Sequence, residues 1–384
     1  DCQLVCKAAQ QMASDFGEID CRYLFVSRQA LSLPSSDSMA PKGMPWMRKT
    51  AQESSLKTLL AKLDLQFEDV EHLFGKMAGM SREHFRLETE TDWSDFWAAL
   101  NQEPIKQRIQ ALIENRKMMA HKYFCSVGLF DDTPWAIVDF GWFLTSQQAL
   151  WKLLQSLGWQ REISGYYLAL KSKRVCLSEA GRTMAMFYEP PINNPWKEQA
   201  AVFKYQILIE HVAGCADHPS VHHYRNDEAG KPIAAFKSSV TDEAVTFCKD
   251  LHEEALAFID INVSLIDDLR DPTTCRYVLE VVTRSFFEEP TIEATDELSH
   301  LLVATDQNGL DVASIVRPLS LAMALLPLLP NRGPFKKLWS KRFDFFWPEA
   351  SKVVTPRSVL KVADYAQKIS SMRARILKHI LKHG

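Results

Sequence analysis

Hydrophobic and polar positions follow two rhythms along this 384-residue chain. Between residues 56 and 124 apolar side chains recur three and four apart in LKTLLAKLDL, FEDVEHLFGKM and WSDFWAALNQEPIKQRIQALIENRKMMAHKYF, which predicts amphipathic helices packed on one core. Apolar runs of strand length stand at YLFV (23–26), AIVDF (136–140) and ISGYYLALKSK (163–173), with helix-like SQQALWKLLQSLGW (146–159) between the last two. Strand–helix–strand order predicts right-handed crossovers and a parallel sheet with helices on both faces.

Punctuation divides the chain further. PSSDSMAPKGMPWMRKT (34–50) reads as an exposed loop and EPPINNPW (189–196) as a linker. Beyond it lie a helix, KEQAAVFKYQILIEHVAG, and strand-like pieces in SVHHYR and PIAAFK around the turn NDEAGK. The helical patterns DEAVTFCKDLHEEALAFIDINVSLI and TTCRYVLEVVTRSFFEEP follow. The expected architecture is α/β: a Rossmann-like domain over 1–188, a mostly helical α+β domain over 189–330, and a basic aromatic, amphipathic tail over 331–384. No internal repeat interrupts it.

Composition sharpens this picture in three respects. Hydrophobic residues at 46% and charged residues at 24% exclude wholesale disorder. The longest apolar run, LSLAMALLPLLP (319–330), is too short and too rich in proline to span a bilayer. Eight cysteines without a CxxC pair, in a chain too large to need disulfide staples, suit a reducing compartment. The first residues, DCQLVCKAAQQMA, look like a helix without its preceding strand, so the first domain is read as part of a longer polypeptide.

Charge is segregated. From Arg332 to Gly384 thirteen Lys and Arg stand against three acids, a local +10 that leaves about −13 on the remainder of a chain whose net charge is −3. Lys336, Lys337, Trp339, Lys341, Arg342, Phe345, Phe346 and Trp347 mix cations with aromatics, and residues 358–384 form a cationic amphipathic pattern with Leu360, Ala363, Ile369, Met372, Ile376, Ile380 and Leu381 broadly on one face. An anionic membrane surface suits this combination. Nucleic acid would meet the same charges, and packing of the helix on the acidic body is the structural alternative.

At the join of AIVDFGW and the following helix, chemistry concentrates. Asp139 lies on the strand, Gly141 permits unusual backbone angles, and Thr145 and Ser146 carry hydroxyls before the helix. Free amides at such a join bind anions. Equally, Thr145 or Ser146 caps the helix. Arg28, after Ser27 at the end of YLFV, offers the donor fork that matches phosphate or pairs with an acid across the sheet.

YLFVSRQAL, AIVDFGWFLTSQQAL and ISGYYLAL, in that order, resemble the region after the hydrolase domain in bacterial haloacid-dehalogenase-superfamily proteins associated with capsule and O-antigen glycosyltransferases. HPSVHHYR, PIAAF, DLHEEALAFID and FFEEPTIEATDEL are similar to later parts of the same pattern, so the resemblance spans roughly residues 1–300. It implies a phosphorylated sugar or nucleotide sugar at the carboxyl edge of the sheet, held by Asp1, Ser27, Arg28, Asp139, Gly141, Trp142, Thr145, Ser146 and Gln147. It also implies work in cell-surface polysaccharide assembly, in the cytoplasm at the inner membrane, as a binder, a glycosyl or phosphoryl transferase, or a silent scaffold that tethers glycosyltransferases. No catalytic base is assigned.

Departures from the pattern bear on that choice. Cys2, Leu144 and Ala169 replace glycines, and side chains there narrow the approach to a ligand. The paired aspartates of the hydrolase are missing; FIDINVS places Asn262 two after Asp260 in a helical pattern. Cys215, His218 and His222, near His211, Asp217 and His223, have zinc-like spacing without a second half-site. Surface histidines are the simpler reading, and no metal or cofactor is assigned.

Overall fold

The computed structural model describes residues 2–12, 19–49, 55–70, 87, 89–172, 174, 181–189, 200–236, 242–262, 268–304, 312–330 and 347–383. The chain forms two compact units interleaved in sequence: Asp1–Glu198, Gly214–Val263 and Ala304–Val312 in the first, and Gln199–Ala213, Ser264–Val303 and Ala313–Gly384 in the second. The linker expected at 189–196 lies outside the described residues, apart from Glu189.

The first unit contains α1 (Gln3–Gln11), α2 (Arg28–Ser32), α3 (Pro45–Lys49), α4 (Leu56–Ala61), α5 (Phe67–Val70), α6 (Glu90–Leu100), α7 (Ile105–Ser126), β1 (Ala136–Trp142), α8 (Thr145–Ser156), β2 (Ser164–Leu170) and β3 (Thr183–Tyr188). Leu56, Leu59, Leu60, Phe96, Ile109 and Ile113 bury the apolar stripes of the helical half in one core. Thr89 starts α6 through a capping box with Asp92, each side chain bonded to the other's backbone N–H. The 34–50 segment is a correction to the exposed-loop expectation. Met39, Met44 and Met47 are buried in the same core, because flexible methionines fill gaps that composition does not reveal.

β1, β2 and β3 form a three-stranded parallel sheet in that order, with Asp139 opposite Tyr167 and Gly141 opposite Ala169. The protein is therefore mixed α/β, with a parallel sheet flanked by helices. β3 follows a pattern not anticipated from TMAMFY. Helix α8 covers one face through Leu150, Leu153 and Leu154. On the other face Val138, Tyr166 and Met184 stand in register and are 60%, 48% and 62% exposed.

YLFV is not a strand. Residues 19–27 run without regular structure, and side chains replace the ladder: the Tyr123 hydroxyl accepts from the Phe25 N–H at 3.0 Å, and the Tyr224 hydroxyl donates to the Phe25 carbonyl at 2.9 Å. Tyr123 and Tyr224 stack at 4.4 Å. Tyr224 belongs to the antiparallel hairpin β4 (Val221–Asn226) and β5 (Pro232–Phe236), whose turn is fixed by Asp227 Oδ1 accepting from the Ala229 and Lys231 N–H groups. Helix α11 (Asp242–Ile261) completes this unit. Asp260 and Asn262 lie at its end, where Asn262 Nδ2 donates to the Phe258 carbonyl at 2.8 Å.

The second unit contains α9 (Ala201–Lys204), α10 (Gln206–Val212), α12 (Pro272–Glu288), α13 (Ile292–Ser299), α14 (Leu321–Leu325), α15 (Pro348–Val353) and α16 (Arg357–His383). Leu302–Ala304 and Val312–Ser314 form a short two-stranded pair. Trp347 centres this unit: it is fully buried, its indole N–H donates to the Phe287 carbonyl at 2.9 Å, and Phe286 stacks on it at 5.6 Å. Helix α16 packs on α14 and the 3-10 turn Leu326–Leu328, then leaves Met372, Arg373, Arg375 and Ile376 exposed. Among the described residues no helix is long and apolar enough to cross a membrane.

Candidate functional site

The join of β1 and α8 owes its shape to two residues. Gly141 has φ 132°, and a Cβ there would lie 1.9 Å from the Ala169 carbonyl oxygen, so only glycine lets the two strands approach. Leu144, at φ 63° and ψ 15°, takes the left-handed conformation at the N-cap of α8 and supplies no capping side chain. Its own side chain, 4% exposed, packs with Tyr167 and Leu170 and against Ile137, Trp151 and Ala185. That set of neighbours places it between helix and sheet rather than over the helix end.

The first intrahelical bond of α8 runs from the Gln148 N–H to the Leu144 carbonyl at 3.0 Å. Among the described residues no protein acceptor meets the N–H groups of Thr145, Ser146 and Gln147. The helix is twelve residues long, so its macrodipole places partial positive charge at this end. The hydroxyls of Thr145 and Ser146 do not cap it. Arg28 opens α2, which packs on α8; its side chain is exposed, and its charge favours the ionised form of Asp139.

Asp139 is less available. Burial pushes its carboxyl above the usual carboxylate range. Its Oδ1 accepts from the Phe140 N–H at 2.8 Å and from the Cys2 thiol at 3.8 Å. Cys2 repeats the geometry of Leu144, with φ 65° at the uncapped N-cap of α1. Sequence pattern alone does not mark Cys2 as a neighbour of Asp139; its only sign is its place where the resembled pattern has glycine.

Three residues expected to touch a ligand are structural. Gln147 is 1% exposed; its amide N–H donates to the Ile163 carbonyl at 2.8 Å, and the Tyr167 hydroxyl donates to its amide oxygen. It braces α8 against the start of β2. Trp142 is buried at the strand end. Ser27 Oγ accepts from the Ala30 N–H at 3.0 Å and donates to the Val221 carbonyl at 2.5 Å, capping α2 and fastening it to the hairpin. Asp1 lies outside the described residues.

Of the residues assigned to a membrane surface, Lys336, Lys337, Trp339, Lys341, Arg342, Phe345 and Phe346 also lie outside the described residues. Trp347 is corrected: burial of its ring and its bond to Phe287 remove it from any surface.

The histidines and Cys215 are drawn to separate partners. His218 donates from Nδ1 to the Pro219 carbonyl at 2.8 Å and accepts at Nε2 from the Tyr23 hydroxyl at 3.1 Å. His222 Nε2 lies 3.3 Å from Asp64, which also pairs with Arg116. His223, with its ring nitrogen 3.0 Å from that of His222, is lowered to about 4 by burial and by Arg116. The cavity beside this group, lined by Gln29, Lys62, Asp64, Arg116, His222 and His223, has about 10 Å³, the space of one water. Asp64, Arg116, His222 and His223 thus form a partly exposed polar network. A scan against models of known protein families finds no match to this chain, and a search of curated proteins finds no similar sequence.

Proposed function

We propose that the β1–α8 join binds the phosphate of a phosphorylated sugar or nucleotide sugar in cell-surface polysaccharide assembly, as the resemblance of the chain implies. The observation that carries this reading is the open end of α8: among the described residues, three N–H groups and two hydroxyls without a protein partner, with an arginine on the adjoining helix and a leucine folded away beneath α8. The left-handed backbone at Cys2 and Leu144 adds support, because it is the conformation that glycine provides at those two places in the resembled pattern. The parallel sheet and its crossover helix agree with a Rossmann-like domain whose ligand lies beyond the strand ends.

A second reading is carried by the row Val138, Tyr166 and Met184. Parallel sheets are ordinarily covered on both faces, so an exposed apolar row favours a scaffold that docks a partner. The exposed basic turn of α16, with Met372 and Ile376 beside Arg373 and Arg375, adds a peripheral membrane contact to either reading.

Titration of the full chain with UDP-glucose and with inorganic pyrophosphate, followed by calorimetry and thermal shift, separates the two. The binder gives saturable heat with either probe, and Arg28→Ala weakens it about ten- to a hundredfold, the range of one charge-assisted hydrogen bond. No heat and no shift with either probe would refute the binder and leave the scaffold.

A further inference from the structure

We propose that Cys215 and Cys248 are a redox-active dithiol, in which Cys215 exchanges with small-molecule disulfides and Cys248 resolves the mixed disulfide. The proposal is independent of the β1–α8 join. Cys248 and Cys215 are close enough for their side chains to interact. One helical turn beyond Cys248 on α11, His252 donates from Nε2 to the Cys215 carbonyl at 3.1 Å. Residues four apart share a helix face, so the face of α11 that holds the Cys215 backbone also carries Cys248.

The loop carrying Cys215 is held from a second side. Lys7 Nζ lies 3.1 Å from His252 Nδ1 and 3.0 Å from Asp217 Oδ2. The Gln3 amide donates to Asp217 Oδ1 at 2.7 Å and accepts from the Asp217 N–H at 2.8 Å. A fixed approach of this kind matters because a disulfide demands narrow Cβ separation and direction.

The two thiols differ in the manner that exchange requires. Cys215 is half-buried and reachable, and the neighbouring Cys248 thiol holds it below the usual thiol range. Cys248 is buried, and the neighbouring Cys215 pushes it up. Burial raises Cys6, Cys125 and Cys275 instead. The Cys215 thiolate is thus the attacking group, since exchange runs through thiolate. It attacks one sulfur of oxidised glutathione, forming a Cys215–glutathione disulfide and expelling one glutathione thiolate, which takes up the Cys248 proton. The Cys248 thiolate then attacks the Cys215 sulfur, expels the second glutathione as thiolate, and closes the Cys215–Cys248 bond. Two protein thiols are oxidised as one glutathione disulfide is reduced to two thiols.

The test exposes the full reduced chain to oxidised glutathione, quenches with acid and an alkylating agent, and maps peptides by mass spectrometry over time. The expected first product is the Cys215–Cys248 disulfide, formed at least tenfold faster than glutathionylation of the exposed Cys125. Cys248→Ala should accumulate glutathione on Cys215, and Cys215→Ala should leave Cys248 unmodified. The time course on the unaltered chain stands even if either variant misfolds. A Cys6–Cys21 disulfide, or modified Cys125, appearing while Cys215 and Cys248 remain free overturns the proposal.

Discussion

Replacing Leu144 tests the geometry of the join and its use together. The residue combines two opposing contributions: a left-handed backbone at φ 63° that disfavours any side chain, and a leucine side chain only 4% exposed. Removing a buried leucine side chain costs about 2–5 kcal/mol. Relief of the left-handed conformation by glycine returns about 1–2 kcal/mol. Leu144→Ala suffers the first without the second, whereas Leu144→Gly has both. The glycine variant should therefore be more stable than the alanine variant by about 1 kcal/mol, the reverse of the order found within helices, where glycine is worse than alanine by about that amount. Urea unfolding of the two variants beside the unaltered chain measures the difference at constant slope. An alanine variant equal to or more stable than the glycine variant would show that the backbone is not held left-handed, and the account of the helix end would fail with it.

Other expectations follow from the same region. Gly141→Ala places a Cβ 1.9 Å from the Ala169 carbonyl at φ 132°, so it should lower the unfolding free energy by more than about 4 kcal/mol or abolish folding; a thermal midpoint within a few degrees of the parent would contradict that contact. Asp139 has a raised folded pKa, so folding favours its protonated form. Its contribution is fully present below the unfolded carboxylate range and is lost as pH rises through the folded value. Asp139→Asn should therefore flatten this loss of stability toward neutral pH, and a pH–stability curve unchanged by the substitution would mean that the carboxyl is not buried.

Much of the architecture was legible because it rests on local periodicity. The three- and four-residue spacing in α7, α8, α11 and α12 marks helices wherever their ends fall, and AIVDF, SGYYLAL, VHHYR and PIAAF have strand composition with turn residues between. YLFV reads identically yet is no strand; the backbone N–H and carbonyl of its Phe25 are taken by Tyr123 and Tyr224, 98 and 199 positions away. Local pattern holds no trace of such partners.

The same division runs through the site. Sequence by itself determined that a glycine-bearing turn would join a strand to a helix near Asp139, since strand composition, Gly141 and helix periodicity are properties of neighbouring residues. Only tertiary structure decided which side chains at that turn are free. Gln147 and Trp142 turned inward because Ile163, Tyr167 and the sheet were there to receive them, and Ser27 was claimed by Val221. Among the described residues Thr145, Ser146 and Arg28 meet no such partner. Burial and hydrogen bonding are settled by groups far apart in the chain, and a residue's own neighbours in sequence do not specify them.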